Sequence, residues 1–239
     1  MVWHWQNGVL RCELLAAWPH GFFTRHHGEP QTLQLWLQSD RSCYAKQVHG
    51  DRTVDGPWPA TVPRPEADGV AVQTQGVSAW VCTADCVPVL VGDRRLGWVA
   101  AVHSGWRGTA ADVLGKLLQR WQAQGSCPSD WRVALGPAIS GAVYQVPQTV
   151  AAEVTAVLQQ PVGIAADPAP DKCRLDLRAV LRQRLLEWGL SAAQVAIAPH
   201  CTLSEPDRFF SYRRRCLNVA RPEPRGLQWS GITAIAPNP

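Results

Sequence analysis

The sequence predicts an α/β fold: one domain with a mixed-sheet sandwich and helices packed on a central sheet. Three observations carry this. Six short apolar, β-branched runs are spread along the chain, four of them in one block. Segments with 3.6-residue apolar spacing are fewer and mostly come later, so strict strand–helix alternation is absent. The chain has 239 residues, of which 46% are apolar, enough to build a sizeable core within one domain.

The strand-like runs are 69–73, 77–82, 87–91, 97–103, 131–135 and 194–198. A first helix is expected from a Thr109 cap to about Gln122, with Val113, Leu114, Leu117, Leu118 and Trp121 on one face. A second starts near Pro147 and turns Val150, Val154, Val157 and Leu158 inward. Asp176 caps a third, with Leu177, Val180, Leu181, Leu185 and Trp188 inward and Gly189 as its stop. The proline-rich stretch 55–66 and the stretch 165–171 are expected to be loops. No internal repeat or low-complexity block divides the chain.

Charge and cysteine usage narrow the function. A net charge of +4 with only 18% charged residues is not a nucleic-acid footprint. The densest basic run, Arg213, Arg214 and Arg215, suits local anion binding. No secretory signal or membrane span is visible, so a cytoplasmic enzyme without membrane partners is expected, as a monomer or small homo-oligomer. The eight cysteines are then reduced thiols or metal ligands rather than disulfides. The twelve tryptophans form no stripe and read as packing residues.

Three segments carry potential chemistry: Gln47-Val48-His49-Gly50, Thr83-Ala84-Asp85-Cys86, and His103-Ser104-Gly105-Trp106-Arg107-Gly108. Each places a zinc-type donor near a strand end or glycine turn. His49, Cys86 and His103 would leave a fourth tetrahedral position open, as catalytic rather than structural zinc sites do. Spacing alone also allows a plainer assignment: His49 in a turn hydrogen bond, Cys86 in the core, His103 at a strand-end contact. Arg107, beside the expected Thr109 helix start, is a candidate phosphate ligand or a solvated turn residue. Asp68 is a turn residue or an acid/base or substrate contact. Asp85 orients a ligand or stabilises its own turn.

Several segments together resemble a known family. They are His20-Gly21-Phe22-Phe23-Thr24-Arg25, Gln47-Val48-His49-Gly50, Ala67-Asp68-Gly69, Thr83-Ala84-Asp85-Cys86-Val87-Pro88, His103-Ser104-Gly105-Trp106-Arg107-Gly108, Gly136-Pro137-Ala138-Ile139, Cys201-Thr202 and Phe209-Phe210-Ser211-Tyr212-Arg213-Arg214. In order and content they are similar to the YfiH-like family, also called laccase-domain or polyphenol-oxidase proteins. The resemblance implies a one-domain α/β sandwich with zinc on His49, Cys86 and His103. It implies phosphorolysis of adenosine, guanosine, inosine and methylthioadenosine, with adenosine deamination as a second activity. Catalytic roles are expected at Asp68, Asp85, Cys86 and Arg107. Substrate and phosphate contacts are expected at Arg25, Gln47, Arg107, Cys201, Tyr212 and Arg213. The chain departs from the family pattern at His26-His27-Gly28-Glu29, at Gln145 and at Arg215-Cys216-Leu217, all apart from the three ligands.

Two rival chemistries use the same residues. Cys86 as nucleophile with His103 as base would make a thiol hydrolase or amidase acting on cell-wall precursors. A copper polyphenol oxidase is disfavoured: the only methionine is Met1, and the seven histidines contain no His-x-His pair. The His-x-Glu and Pro-Cys-x-x-Cys pattern of other zinc deaminases is also absent.

Overall fold

All six β-branched runs form strands in the computed structural model, which describes residues 2–59, 61–217 and 224–237. In chain order the strands are β1 (Trp3–Gln6), β2 (Val9–Cys12), β3 (His20–Phe22), β4 (Arg41–Cys43), β5 (Thr53–Gly56), β6 (Gly69–Val72), β7 (Val77–Thr83), β8 (Val87–Asp93), β9 (Val99–Ser104), β10 (Trp131–Leu135), β11 (Gln145–Pro147), β12 (Ile164–Ala166), β13 (Lys172–Leu175), β14 (Val195–Ile197) and β15 (Gln228–Thr233). The helices are α1 (Pro30–Leu33), α2 (Trp106–Ala110), α3 (Val113–Ala123), α4 (Gln148–Thr155), α5 (Leu177–Glu187) and α6 (Tyr212–Leu217).

The strands build two six-stranded mixed sheets, ordered β1-β2-β3-β15-β7-β4 and β14-β10-β8-β9-β6-β5, and a small β11-β13-β12 sheet. Side-chain alternation along β8 and β9 assigns their two faces. Leu90 and Ala101 point into the layer between the large sheets, with Trp18, Phe22, Val81 and Ile232. Val89, Val91, Ala100 and Val102 point the other way, onto Leu114, Leu117 and Trp121 of α3 and Val180, Leu181 and Leu185 of α5. Buried on both faces, β8 and β9 read as continuous apolar runs. The outer face of the first sheet is covered by Phe23, Leu33 and Leu37 packed on Val9 and Trp80. The architecture is therefore a mixed α/β sandwich of two sheets, with its main helices against one of them.

The Asp176 cap is as expected: its carboxylate accepts from the N–H groups of Arg178 and Ala179. Gly189 follows the helix at φ +92°, a left-handed position that a side chain would strain. The Thr109 cap is corrected. Thr109 lies inside α2, where its hydroxyl donates to the Gly105 carbonyl. The chain then breaks at Asp112, whose carboxylate caps α3 through the Gly115 N–H. The expected loops also shorten: Asp55 and Gly56 belong to β5, and Ala165 and Ala166 to β12.

Buried His20 joins β2 to the turn before β3. Its Nε2 accepts from the Cys12 N–H at 2.9 Å, and its Nδ1–H donates to the Trp18 carbonyl at 2.8 Å. The Nε2 bond needs neutral imidazole, and burial holds the ring's pKa down at about 4. The unfolded chain takes up this proton near pH 6.5, while the folded chain resists it until about pH 4. The contribution is therefore complete above pH 6.5 and is lost as pH falls toward 4, at about 1.4 kcal/mol per pH unit and up to ~3 kcal/mol in all. Denaturant unfolding at several pH values is expected to show this slope. His20→Asn should be less stable at pH 7 and show a shallower loss between pH 6.5 and 4.

Candidate metal centre and cleft

Hairpin register brings two donors together. Strands β8 and β9 pair with Pro88 opposite His103 and Val87 opposite Ser104. Cys86, one residue before β8, thus meets the His103–Gly105 end of β9. His49 comes from the loop between β4 and β5. The donor atoms of His49, Cys86 and His103 all lie within 4.8 Å of one another, and the two imidazole rings meet edge to face with centroids 4.8 Å apart. Gly105 makes the convergence possible. A Cβ there would sit 2.9 Å from the Cys86 sulfur and 3.7 Å from the His49 ring.

Asp68 organises this set from beneath. It is fully buried, and its Oδ1 accepts from the His103 ring Nδ1 at 2.8 Å and from the His49 backbone N–H at 2.9 Å. Its Oδ2 accepts from the Gly50 and Val48 N–H groups at 2.7 and 3.2 Å. Its own carbonyl accepts from the His103 N–H at 2.7 Å. The Nδ1 bond fixes the His103 tautomer and leaves Nε2 as the free donor. The three loop bonds hold His49 at φ +60°, a left-handed conformation costly for a non-glycine residue.

The electrostatics suit a metal. Burial pushes the Cys86 thiol up, but hydrogen bonds from His103 and His49 outweigh it and bring its pKa down, toward thiolate. Burial pushes His103 down, and its bonds to Asp68 and Cys86 reverse that. Two imidazoles and a thiolate form a nitrogen–sulfur donor set of the kind that binds zinc, with a side left open to the cleft. The residues present fit such an ion.

The cleft above this set has a volume of about 1180 Å³. One wall comes from the first large sheet and its flanking loops, including Glu29, Gln47, Cys82 and Trp229. The other carries Trp106, Arg107, Tyr144, Leu177 and Arg213, with Tyr212 and Arg215 beside them. Arg107 lies over the Trp106 ring at 4.3 Å, Arg213 over Tyr144 at 5.1 Å and Arg215 over Tyr212 at 5.1 Å. None of the three guanidiniums has a carboxylate partner among the described residues.

The model of the family described as multi-copper polyphenol oxidoreductase laccase matches residues 25–232. The chain belongs to this family. It is 39% identical to a Synechocystis protein named a purine nucleoside phosphorylase, over 98% of this chain and 97% of that one. It is 34% identical to an adenosine deaminase from an unknown prokaryotic organism, over 79% of this chain and 76% of that one. The crystal structure of YlmD from Geobacillus stearothermophilus superposes with a TM-score of 0.85 at 25% identity, covering 98% of this chain and 99% of that one. The fold expected from the motif resemblance is therefore the fold of its structural relatives.

Within this laccase-family cleft the expected site residues separate into groups. His49, Cys86, His103, Arg107, Tyr212 and Arg213 all line it. Gln47 lines it too, but its side-chain amide is committed: it donates to the Cys82 carbonyl and accepts from the Cys82 N–H, both at 2.8 Å. Three expected residues do not line the cleft. Asp68 is fully buried and holds His49 and His103. Cys201 faces away from the cleft, where its sulfur accepts from the Ser140 N–H. Arg25 lies over the Phe210 ring and donates to the Pro206 carbonyl, bracing the 206–210 loop from behind.

Asp85 lines the cleft with both carboxylate oxygens occupied. Oδ1 accepts from Thr202 Oγ1, and Oδ2 from Ser211 Oγ and the Arg213 N–H. Of its two readings, turn and loop stabilisation describes these bonds. Arg107 sits in the first turn of the five-residue α2, whose start at Gly105 has no side-chain cap, while the start of α3 holds the Asp112 carboxylate, ion-paired to Arg184. Sequence reading missed Trp106, Tyr144 and Leu177 as cleft residues. Arg215 was visible only as part of a basic run, and Leu177 is indistinguishable from the apolar face of its helix.

Two substitutions test this centre. Asp68→Asn removes the charge that aligns both histidines and is expected to weaken zinc binding about 10- to 100-fold in a chelator competition. Gly105→Ala pushes a Cβ onto the Cys86 sulfur and should lower bound zinc per chain while leaving the far-UV spectrum unchanged. Wild-type zinc affinity in both variants would refute the assignment.

Proposed function

We propose that the chain is a zinc-dependent purine nucleoside phosphorylase. On this reading it cleaves adenosine, guanosine, inosine and methylthioadenosine with phosphate, and deaminates adenosine as a second activity. The observation that carries the reading is the convergence of His49, Cys86 and His103 at the base of a cleft with one arginine-rich, aromatic wall. The relatives named purine nucleoside phosphorylase and adenosine deaminase support it.

Phosphorolysis needs little covalent help. A phosphate oxygen bonds to the ribose C1′ as the bond from C1′ to the purine N9 breaks, and the purine leaves with the bonding electron pair. The protein must hold phosphate against the sugar and exclude water. On this reading the guanidiniums of Arg107, Arg213 and Arg215 bind the phosphate. Trp106 and Tyr144 offer apolar faces to the sugar. Zinc held by His49, Cys86 and His103 would supply Lewis acidity at the cleft floor. The eight cysteines, all free, fit a reducing, cytoplasmic setting.

One observation favours a second reading. Asp68, His103 and Cys86 are linked in the order of a catalytic triad with a cysteine nucleophile, which is what a thiol hydrolase requires. His49 is superfluous to a triad but completes a metal set. Copper oxidase chemistry lacks its parts: the sole methionine, Met1, lies outside the described residues, and the described residues contain no second histidine cluster.

Zinc and thiol chemistry separate cleanly. Chelation is expected to abolish phosphate-dependent adenosine cleavage, and zinc to restore it, with no substrate adduct on Cys86 by intact mass during turnover. Full activity after verified zinc removal, with an adduct mapped to Cys86, would establish the hydrolase instead. Arg107→Ala is expected to raise the KM for phosphate at least about tenfold while zinc content stays at the wild-type level, since a charge-assisted bond contributes about 1.5–3 kcal/mol. An unchanged KM would make Arg107 a bystander.

A further inference from the structure

Guanidiniums reach the cleft from both of its walls. Arg107, Arg213 and Arg215 stand on the helix side, and Arg225 stands on the sheet side, just before β15 brings Trp229 to the lining. Arg225 is exposed, and its guanidinium has no carboxylate partner among the described residues. The backbone that carries it is held in place. Its neighbour Gly226 lies against the Phe210 ring, with no room there for a Cβ. Buried Gln228 then ties the segment to Phe210: its side-chain amide accepts from the Phe210 N–H at 2.9 Å and donates to the Phe210 carbonyl at 3.3 Å. Phe210 is itself braced by Arg25, whose guanidinium lies 4.5 Å from the ring centroid. Against the four cations the lining holds two carboxylates, Glu29 and Asp85. The Asp85 oxygens are taken up by Thr202, Ser211 and the Arg213 N–H. Glu29 is exposed and is ion-paired to none of the four guanidiniums.

Phosphorolysis of a nucleoside brings one anion into the cleft, the attacking phosphate. The three guanidiniums of the helix side serve it, which leaves Arg225, on the other wall, without a role in that reaction. The cleft also has room to spare. Its volume of about 1180 Å³ exceeds the roughly 300–1,000 Å³ of ordinary small-molecule pockets. A nucleoside with a phosphate ester at C5′ uses both the charge and the space. C1′ and C5′ lie at opposite ends of the ribose, so a sugar that turns C1′ toward Arg107 and Arg213 turns its 5′ end away from them. A phosphate ester carries nearly two negative charges at neutral pH, and a guanidinium meets it through two parallel N–H···O bonds. We infer that the cleft also binds purine nucleoside 5′-phosphates. The 5′-phosphate sits on Arg225, and the attacking phosphate keeps its place on the arginines opposite. This rests on the nucleoside reading given above and extends it from nucleosides to nucleotides.

The test is equilibrium binding in the absence of phosphate. Inosine, which has no amino group to lose, and inosine 5′-monophosphate are titrated calorimetrically into the zinc-loaded full chain and into Arg225→Gln. Arg225 is exposed, so matching melting curves verify that the variant is folded. The wild type is expected to bind the monophosphate at least about tenfold more tightly than inosine, by an advantage that shrinks as salt rises. Arg225→Gln should remove most of that advantage and leave the affinity for inosine unchanged. Saturating sulfate, an unreactive stand-in for the attacking phosphate, should leave the monophosphate bound at matched ionic strength. A monophosphate bound no more tightly than inosine, an advantage that survives in Arg225→Gln, or displacement by sulfate would each overturn the inference and leave the nucleoside reading standing. Failure of both ligands to bind would overturn both.

Discussion

A single buried carboxylate sets the geometry on which the rest of the site depends. Asp68 receives the His103 ring and three consecutive backbone N–H groups of the loop that carries His49. One donor is thus fixed through its side chain and another through its main chain, by the same two oxygens. A buried, uncompensated carboxylate would be costly, and four donors are what make this one tolerable. The left-handed backbone at His49 exists because those bonds over-determine it. Cys86 is placed independently, by the β8–β9 register and by the absence of a side chain at Gly105.

Asp85 does for the loops what Asp68 does for the ligands. It adopts φ +90° immediately before Cys86 and ties Thr202, Ser211 and Arg213 together. Arg213 is thereby held through its backbone N–H while its guanidinium stays over Tyr144, donating to the Gln145 carbonyl. The Asp85 charge is taken up by these bonds while the Arg213 guanidinium stays on the cleft. A cleft with such a wall draws anions by its field as well as by contact.

Much of this was legible in sequence, for physical reasons. Five of the six foreseen strands, β6 to β10, are buried at nearly every residue, so their apolar runs are unbroken; β14 is a three-residue edge strand. The outer strands gave no comparable signal. Trp3–Gln6 alternates between half-buried and exposed positions, and His20–Phe22 is three residues long. The three donors could be named because histidine and cysteine beside glycine turns suggest metal chemistry. The role of Asp68 could not, since a turn aspartate and a buried anchor look alike until the loop of residues 48–50 is seen folded over it. Arg25 and Cys201 share motifs with cleft residues yet face elsewhere, because a motif spans both sides of the backbone.

Strand β15 lies between β3 and β7, with Ser230 beside both Phe22 and Val81, and it carries Trp229 to the cleft. The sheet wall of the cleft thus closes only when segments from opposite ends of the described chain meet. Such distant pairings carry a larger loop-closure cost and form slowly. The three donors and Asp68 come instead from the nearer span between His49 and His103, joined by a local hairpin. Bringing together the parts that would grip an ion therefore costs less chain entropy than completing the wall that β15 supplies.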